Sequence, residues 1–263
     1  MKKNQNYKII ILVLFVAVIL EGLFIISRKP QVVVKEQPRR PKAAVLKGKI
    51  AIVLDDWGYT LNNLSTLKQI KQPVTLAILP NLNYSKTISE KVYGRNETIL
   101  HLPMEPLENL RLEKNTIIVS MDASVIRDIL TDDLKSVPFA KGVSNHMGSK
   151  ATRNKEVMSV VFKELKDKRL YFLDSFVTGG SICADLAQKY HLRFAERDVF
   201  LDNIEEPGYI LKQLDKLKLR ANLYGEAIGI GHDRKVTLRV LKEALPLIEK
   251  EGYKFVFLSE LVK

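Results

Sequence analysis

Two adjacent carboxylates, Asp55 and Asp56, end the apolar run Ile50–Leu54 and are followed by Trp57-Gly58. Neighbouring aspartates at the end of a buried strand repel each other unless a cation or a shared proton relieves them, so the pair points to metal binding or acid/base work. Asp, Asp and Gly are also common turn residues, which is the plainer account of the same string. The pair has company: His101, His146, Asp174, Asp202 and His232 each fall at or just after an apolar run of their own. Three of the four histidines share this placement, and His191, at the end of a helical stretch, does not.

The elements that must position these groups alternate along the chain. Short apolar runs predict strands at Ile50–Leu54, Val74–Leu79, Thr98–Leu102, Gly142–Ser144, Leu170–Leu173, Val199–Leu201, Ala227–Ile230 and Phe255–Leu258. Amphipathic stretches between them predict helices at Leu61–Lys71, Ser85–Tyr93, Ala123–Leu134, Lys155–Lys168, Ile182–Tyr190, Tyr209–Leu217 and Val236–Lys250, with Asp122 and Asn154 as candidate caps. The fold class is therefore α/β. Seven or eight strands alternating with helices suit a (β/α)7-8 barrel, distorted or incompletely closed, with an open doubly wound sheet as the alternative. In a parallel barrel the strand ends share one face, and the carboxylates and imidazoles above would meet there. The long connection from Pro103 to Asp122 is a candidate lid on that face, although its Ile117-Ile118-Val119 run reads equally as a small structural strand.

From Lys49 to Lys263 the sequence resembles the polysaccharide deacetylases of the NodB-homology type, in their divergent (YibQ-like) branch. The residues that carry the resemblance are Ile-Val-Leu-Asp55-Asp56-Trp-Gly, Leu-Ala-Ile-Leu-Pro80, Ile-Leu-His101-Leu-Pro-Met-Glu105-Pro, Gly-Val-Ser-Asn145-His146-Met-Gly-Ser149, Phe-Leu-Asp174-Ser175 and Ala-Ile-Gly-Ile-Gly-His232, in that order. The resemblance implies a barrel that hydrolyses the N-acetyl amide of an amino-sugar polysaccharide with metal-activated water. It makes Asp55 the general base, Asp56 a ligand of a divalent metal, and His232 the general acid. The segment His101–Glu105 departs from the family's His-x-x-x-His motif by placing Glu at its second histidine, so either Glu105 or His146 completes the ligand set. Asp56, His101 and His146 are the favoured trio, because two imidazoles and one carboxylate suit zinc and leave a position for water or substrate. Glu105, Asn145, Asp174 and Asp202 are then expected around the ligands or against substrate. The family's Arg-x-Pro-Tyr motif does not occur, and Arg153 and Arg197 are candidates for its arginine. A catalytically impaired barrel that binds cell-envelope carbohydrate is the alternative reading, with a metal-dependent phosphodiesterase as a third.

The first 27 residues differ from the rest. The run Ile9–Ile26 is interrupted only by Glu21-Gly22, long enough for one N-terminal transmembrane helix; no convincing small-x-small cleavage site follows it, and a cleaved signal sequence is the alternative. Residues 28–48 form a basic, proline-containing tether, and 49–263 the barrel domain. The expected location is a single-pass cell membrane protein with an extracytoplasmic domain; basic residues on both sides of the apolar run leave its orientation open. The formal net charge is +12, but nine basic residues between Lys2 and Lys42 face only Glu21 and Glu36, which leaves about +5 for the remainder. Such a domain suits an anionic surface, and no nucleic-acid recognition motif accompanies the charge. Cys183 is the single cysteine, so no internal disulfide is available.

Overall fold

The computed structural model describes residues 3–27 and 46–263, in two compact units divided near residue 43. The first is one helix, α1 (Lys3–Ser27), whose Asn6–Ser27 part is apolar and long enough to cross a bilayer. Such a helix serves either as a signal sequence or as an anchor. The tether expected at 28–48 lies outside the described residues up to residue 45.

The second unit is an α/β fold whose strands form a strongly curled, parallel half-barrel. Its elements are β1 (Gly48–Trp57), α2 (Leu64–Leu67), β2 (Thr75–Ile78), α3 (Ser85–Val92), β3 (Glu97–Met104), α4 (Ala123–Ser136), β4 (Ala140–Met147), α5 (Lys155–Asp167), β5 (Tyr171–Asp174), α6 (Cys183–Tyr190), β6 (Phe194–Glu196), β7 (Val199–Phe200), α7 (Pro207–Tyr224), β8 (Glu226–His232), α8 (Lys235–Lys250) and β9 (Tyr253–Val256). The strand order β6-β5-β4-β3-β2-β1-β8-β7 runs without the reversal of a doubly wound sheet. One edge of β1 is fully occupied by β8, while its other edge is shared by β9 near the start and β2 near the end. The segment 194–200 pairs first with β5 and then with β8, so it touches both ends of the curl.

Two apolar layers follow from the period of two along each strand. One face packs against the helices through Ile50, Ile52, Leu54, Leu76, Leu100 and Leu102. The other fills the lumen with Ala51, Val53, Ala77, Ile99, Tyr171, Leu173, Ile228 and Ile230. Gly142 is required in this lumen because a Cβ there would lie 2.3 Å from the Tyr171 ring. The lower end is sealed by the buried Glu97, whose Oε1 accepts from Thr75 Oγ1, the Tyr171 hydroxyl and Ser259 N.

Several expected elements shift. The first helix of the domain shrinks to Leu64–Leu67, since residues 58–63 turn and Pro73 follows closely. The sixth lengthens to Pro207–Tyr224, opening on a proline at its first turn and closing at Gly225 with φ 84°. β6 adds a strand because its three residues are half-exposed and carry no apolar run. Asn154 caps α5 by accepting from Val157 N, whereas Asp122 stands at the cap of α4 without a side-chain bond. Ile117 forms a bridge with Met104, so the return of the long connection is structural.

Asp133 on α4 is fully buried and takes Asn81 Nδ2 at 2.7 Å and, more weakly, Asn115 Nδ2 at 3.4 Å. Among the described residues no cation pairs with it. Burial and the charge of Asp132 outweigh the two amides and push its carboxyl up to about 7. A raised carboxyl means the folded chain holds the proton more tightly, so stability falls as pH rises from about 4 through about 7 and is level above. Urea unfolding across that range should show Asp133→Asn gaining on the order of 3 kcal/mol over wild type at the upper end. Parallel pH profiles for the two proteins would contradict the assignment.

Candidate metal centre

The lumen rows of the strands run upward from apolar side chains into polar ones. Ala51 and Val53 lead to Asp55, Ile99 to His101, Ser144 to His146, and Ile228 and Ile230 to His232. Parallel pairing sets Asp55 directly across from His232, and Pro103 of β3 across from His146. Simple alternation would turn Asp56 away from Asp55 and towards the helices. It does not, because the β1–β2 register slips between Leu54 and Trp57 and Asp56 adopts a left-handed φ of 64°. This local kink costs about 1–2 kcal/mol for a residue with a Cβ. It places consecutive carboxylates on one side.

His101 Nε2 lies 3.5 Å from Asp55 Oδ2 and 3.3 Å from Asp56 Oδ1, and His146 Nδ1 lies 3.1 Å from Asp56 Oδ1. The two imidazoles meet edge to face with centroids 5.0 Å apart. Asp55 Oδ1 and Asp56 Oδ1 are nevertheless buried and accept no hydrogen bond. Buried carboxylate oxygens left open beside imidazole nitrogens fit a cation better than a hydrogen-bonded cluster. One ligand atom each from Asp56, His101 and His146 lies within 4.8 Å of the others. Tetrahedral zinc with bonds near 2.1 Å needs ligand atoms about 3.4 Å apart, close to the separations from Asp56. The trio could hold a divalent metal.

His101 Nδ1 sits 2.8 Å from Ser144 Oγ, so a proton on Nδ1 can be given to the serine while the Nε2 lone pair faces the carboxylates. Burial would raise the Asp56 carboxyl, but the contacts and charges of His101 and His146 outweigh it and hold the group well below the usual carboxylate range. Asp55, wholly enclosed, is raised by burial more than the imidazoles lower it.

Beside this cluster His232 Nδ1 lies 2.7 Å from Asp202 Oδ1, and its backbone N–H donates to Asp202 Oδ2. Thr237 Oγ1 also donates to that oxygen, and Gly231 keeps the approach open. Burial pulls the imidazole pKa down, but the Asp202 bond and the charges of Asp55 and Asp56 outweigh it and raise it.

The remaining expected residues are occupied. Glu105 accepts from Lys150 Nζ at Oε1 (2.6 Å) and from Val119 N at Oε2 (2.6 Å), which roots the 105–122 connection. Asn145 ties the end of β4 to the end of β5, donating to Met147 O and accepting from Ser175 N. Asp174 accepts from Phe176 N and Ser181 Oγ and so braces the loop after β5, whereas Asp202 is the carboxylate at His232. Arg197 donates to Ser175 O and Phe176 O and lies over the Phe200 ring, and Phe200 stacks beside His232. Arg153 reaches towards Gly180. Sequence reasoning missed Ser144, Thr237, and the Asn63–Asp233 bond beside the site. Ser144, two residues before His146 on one strand, was open to discovery by alternation; the others carry no sequence signal.

The curled α/β half-barrel with an Asp-His-His cluster at its strand ends shares its fold with a CE4 family structure. Residues 52–262 match the divergent polysaccharide deacetylase family, and the chain belongs to that family. It is 36% identical over 200 residues to the uncharacterized protein YibQ of Escherichia coli K12, a match covering 76% of this chain and 63% of that relative's length. An uncharacterized protein of Agrobacterium tumefaciens C58 superimposes with a TM-score of 0.79 at 22% identity, covering 85% of this chain and 92% of that one. A mutant of BA3943, a CE4 family pseudoenzyme, superimposes at 0.53 with 17% identity, covering 83% and 68%. These two structural likenesses bear on the fold.

Zinc titration by calorimetry tests the trio. His101→Ala should abolish binding at the site, Ser144→Ala should weaken it about 10–100-fold, and Glu105→Gln should leave it unchanged. Loss of zinc in Glu105→Gln with full retention in His101→Ala would reverse the ligand assignment.

Proposed function

We propose that this chain is a metal-dependent carbohydrate N-deacetylase. Asp56, His101 and His146 hold the metal, for which zinc is the best match to one carboxylate and two imidazoles. The supporting observation is the turn at Asp56, which brings a ligand carboxylate beside a second, free one across from His232. When bound, the metal supplies Lewis-acid polarisation of the amide and acidifies a water. Asp55 removes the water's proton, and its enclosure makes it a stronger base than an exposed carboxylate. Asp202 orients His232 and favours its protonated form, so the imidazole can deliver a proton to the departing amine. Acetate leaves and the sugar amine remains. Helix α1 acts as a membrane anchor, residues 28–48 as its tether, and the domain works on glycan outside the cytoplasm.

A second reading, a barrel that holds glycan without turning it over, draws on the fold shared with a pseudoenzyme and on the missing Arg-x-Pro-Tyr motif. Acetate release from N-acetylglucosamine oligomers, with and without zinc, separates the two. The wild type should release acetate only with metal, and Asp55→Asn or His232→Ala should lower kcat by about 10²–10⁴ with zinc content kept. Oligomer binding without acetate would favour the second reading.

A further inference from the structure

The lower end of the barrel, opposite the site, carries exposed cations at the start of almost every strand. Lys47 precedes β1, Lys71 precedes β2, and Arg95 precedes β3; Lys141 opens β4, Lys168 and Arg169 precede β5, Arg193 precedes β6, and Lys254 opens β9. All are exposed. Several acidic groups at this end are already committed. Glu226 of β8 pairs with Lys263, Asp198 before β7 pairs with Arg220, Glu251 pairs with Lys218, and Glu97 is buried under its three donors. Asp167 and Glu249 are exposed there as well, so the excess is positive without being uniform.

Apolar side chains stand among these cations. Leu46, Tyr93, Leu223 and Tyr224 are more than half exposed, and the backbone places all four at the lower end. Leu223 and Tyr224 end α7, and Lys49 N donates to Gly225 O just beyond, so these side chains flank the point where the chain enters the barrel. A recess of about 310 Å³ opens at the same end between the stacked Tyr93 and Phe139 rings, Arg95 and Lys141. The upper end is mixed in charge, with Asp56 and Asp233 standing among Lys150, Arg197 and Arg234.

We infer that the lower end of the barrel docks on an anionic lipid headgroup layer, which holds the strand-end site facing away from the bilayer. Cations attract such a surface, and exposed Leu and Tyr side chains settle at its boundary. Membrane anchorage by itself does not choose which end of a domain faces the bilayer. The pairing of cations with exposed apolar side chains at the lower end selects one orientation. The inference requires no turnover and stands apart from the deacetylase reading.

The full chain in lipid nanodiscs provides the test. Cys183 is wholly buried, so one introduced cysteine takes a fluorescent donor selectively: Leu223→Cys marks the lower end and Leu110→Cys the upper. Energy transfer to a headgroup acceptor should be at least about twofold greater from Leu223→Cys than from Leu110→Cys in phosphatidylglycerol–phosphatidylcholine discs at low salt. The difference should collapse in pure phosphatidylcholine, at high salt, and on combining Lys141→Glu, Lys168→Glu, Arg193→Glu and Lys254→Glu. Should that variant fail to fold, the salt and lipid series on the two labelled chains still decides the matter. Equal transfer from the two labels in anionic discs, or the same inequality in pure phosphatidylcholine, would overturn the inference. A detergent-solubilised dimer burying the Leu223→Cys label would overturn it too, by assigning the face to a second copy of the chain.

Discussion

The backbone at Asp56 is the constraint on which the site depends. Two consecutive strand residues cannot normally serve one lumen, because the pleat sends them to opposite faces. A slipped register and a positive φ reverse the second one, so Asp55 and Asp56 lie on the same side of β1. The cost, about 1–2 kcal/mol, is small beside the several kcal/mol needed to bury the Asp55 carboxylate next to a second one. A cation held by Asp56, His101 and His146 would remove the larger penalty.

Everything beneath that kink is built to hold it still. The lumen is filled with apolar side chains up to the level of Val53, Ile99 and Ile230, and polar chemistry begins one alternation higher. Glu97 and its three donors close the other end. The carboxylates thus sit at a low-dielectric floor with one open side, where a positive charge binds more strongly than at a solvated surface. Around them, Glu105, Asn145 and Asp174 spend their polar atoms on neighbouring loops, which fixes the rim.

Much of this was legible in the sequence, for a physical reason. Strands covered on both faces read as apolar runs, and seven of the eight expected runs overlap a strand by most of their length. The polar residue ending each run was therefore a sound guide to the rim, and Asp55, Asp56, His101, His146 and His232 do meet there. β6 escaped because Phe194-Ala195-Glu196 is half-exposed and short. The kink at Asp56 escaped because no residue type announces a positive φ at aspartate. The choice between Glu105 and His146 could not be made from spacing, since Lys150 and Val119, which occupy Glu105, arrive from separate loops. Asp174 and Asp202 look alike as strand-ending aspartates, yet only Asp202 faces His232, because β7 pairs with β8 and β5 does not.

A crystal of the zinc-loaded chain, with data at the zinc absorption edge, puts the central claim to its most direct test. An anomalous peak about 2.0–2.2 Å from Asp56 Oδ1, His101 Nε2 and His146 Nδ1 is the predicted result. A peak bound by other side chains, with Asp56 Oδ1 hydrogen-bonded to a protonated imidazole, would show that these groups assemble for a reason unrelated to metal.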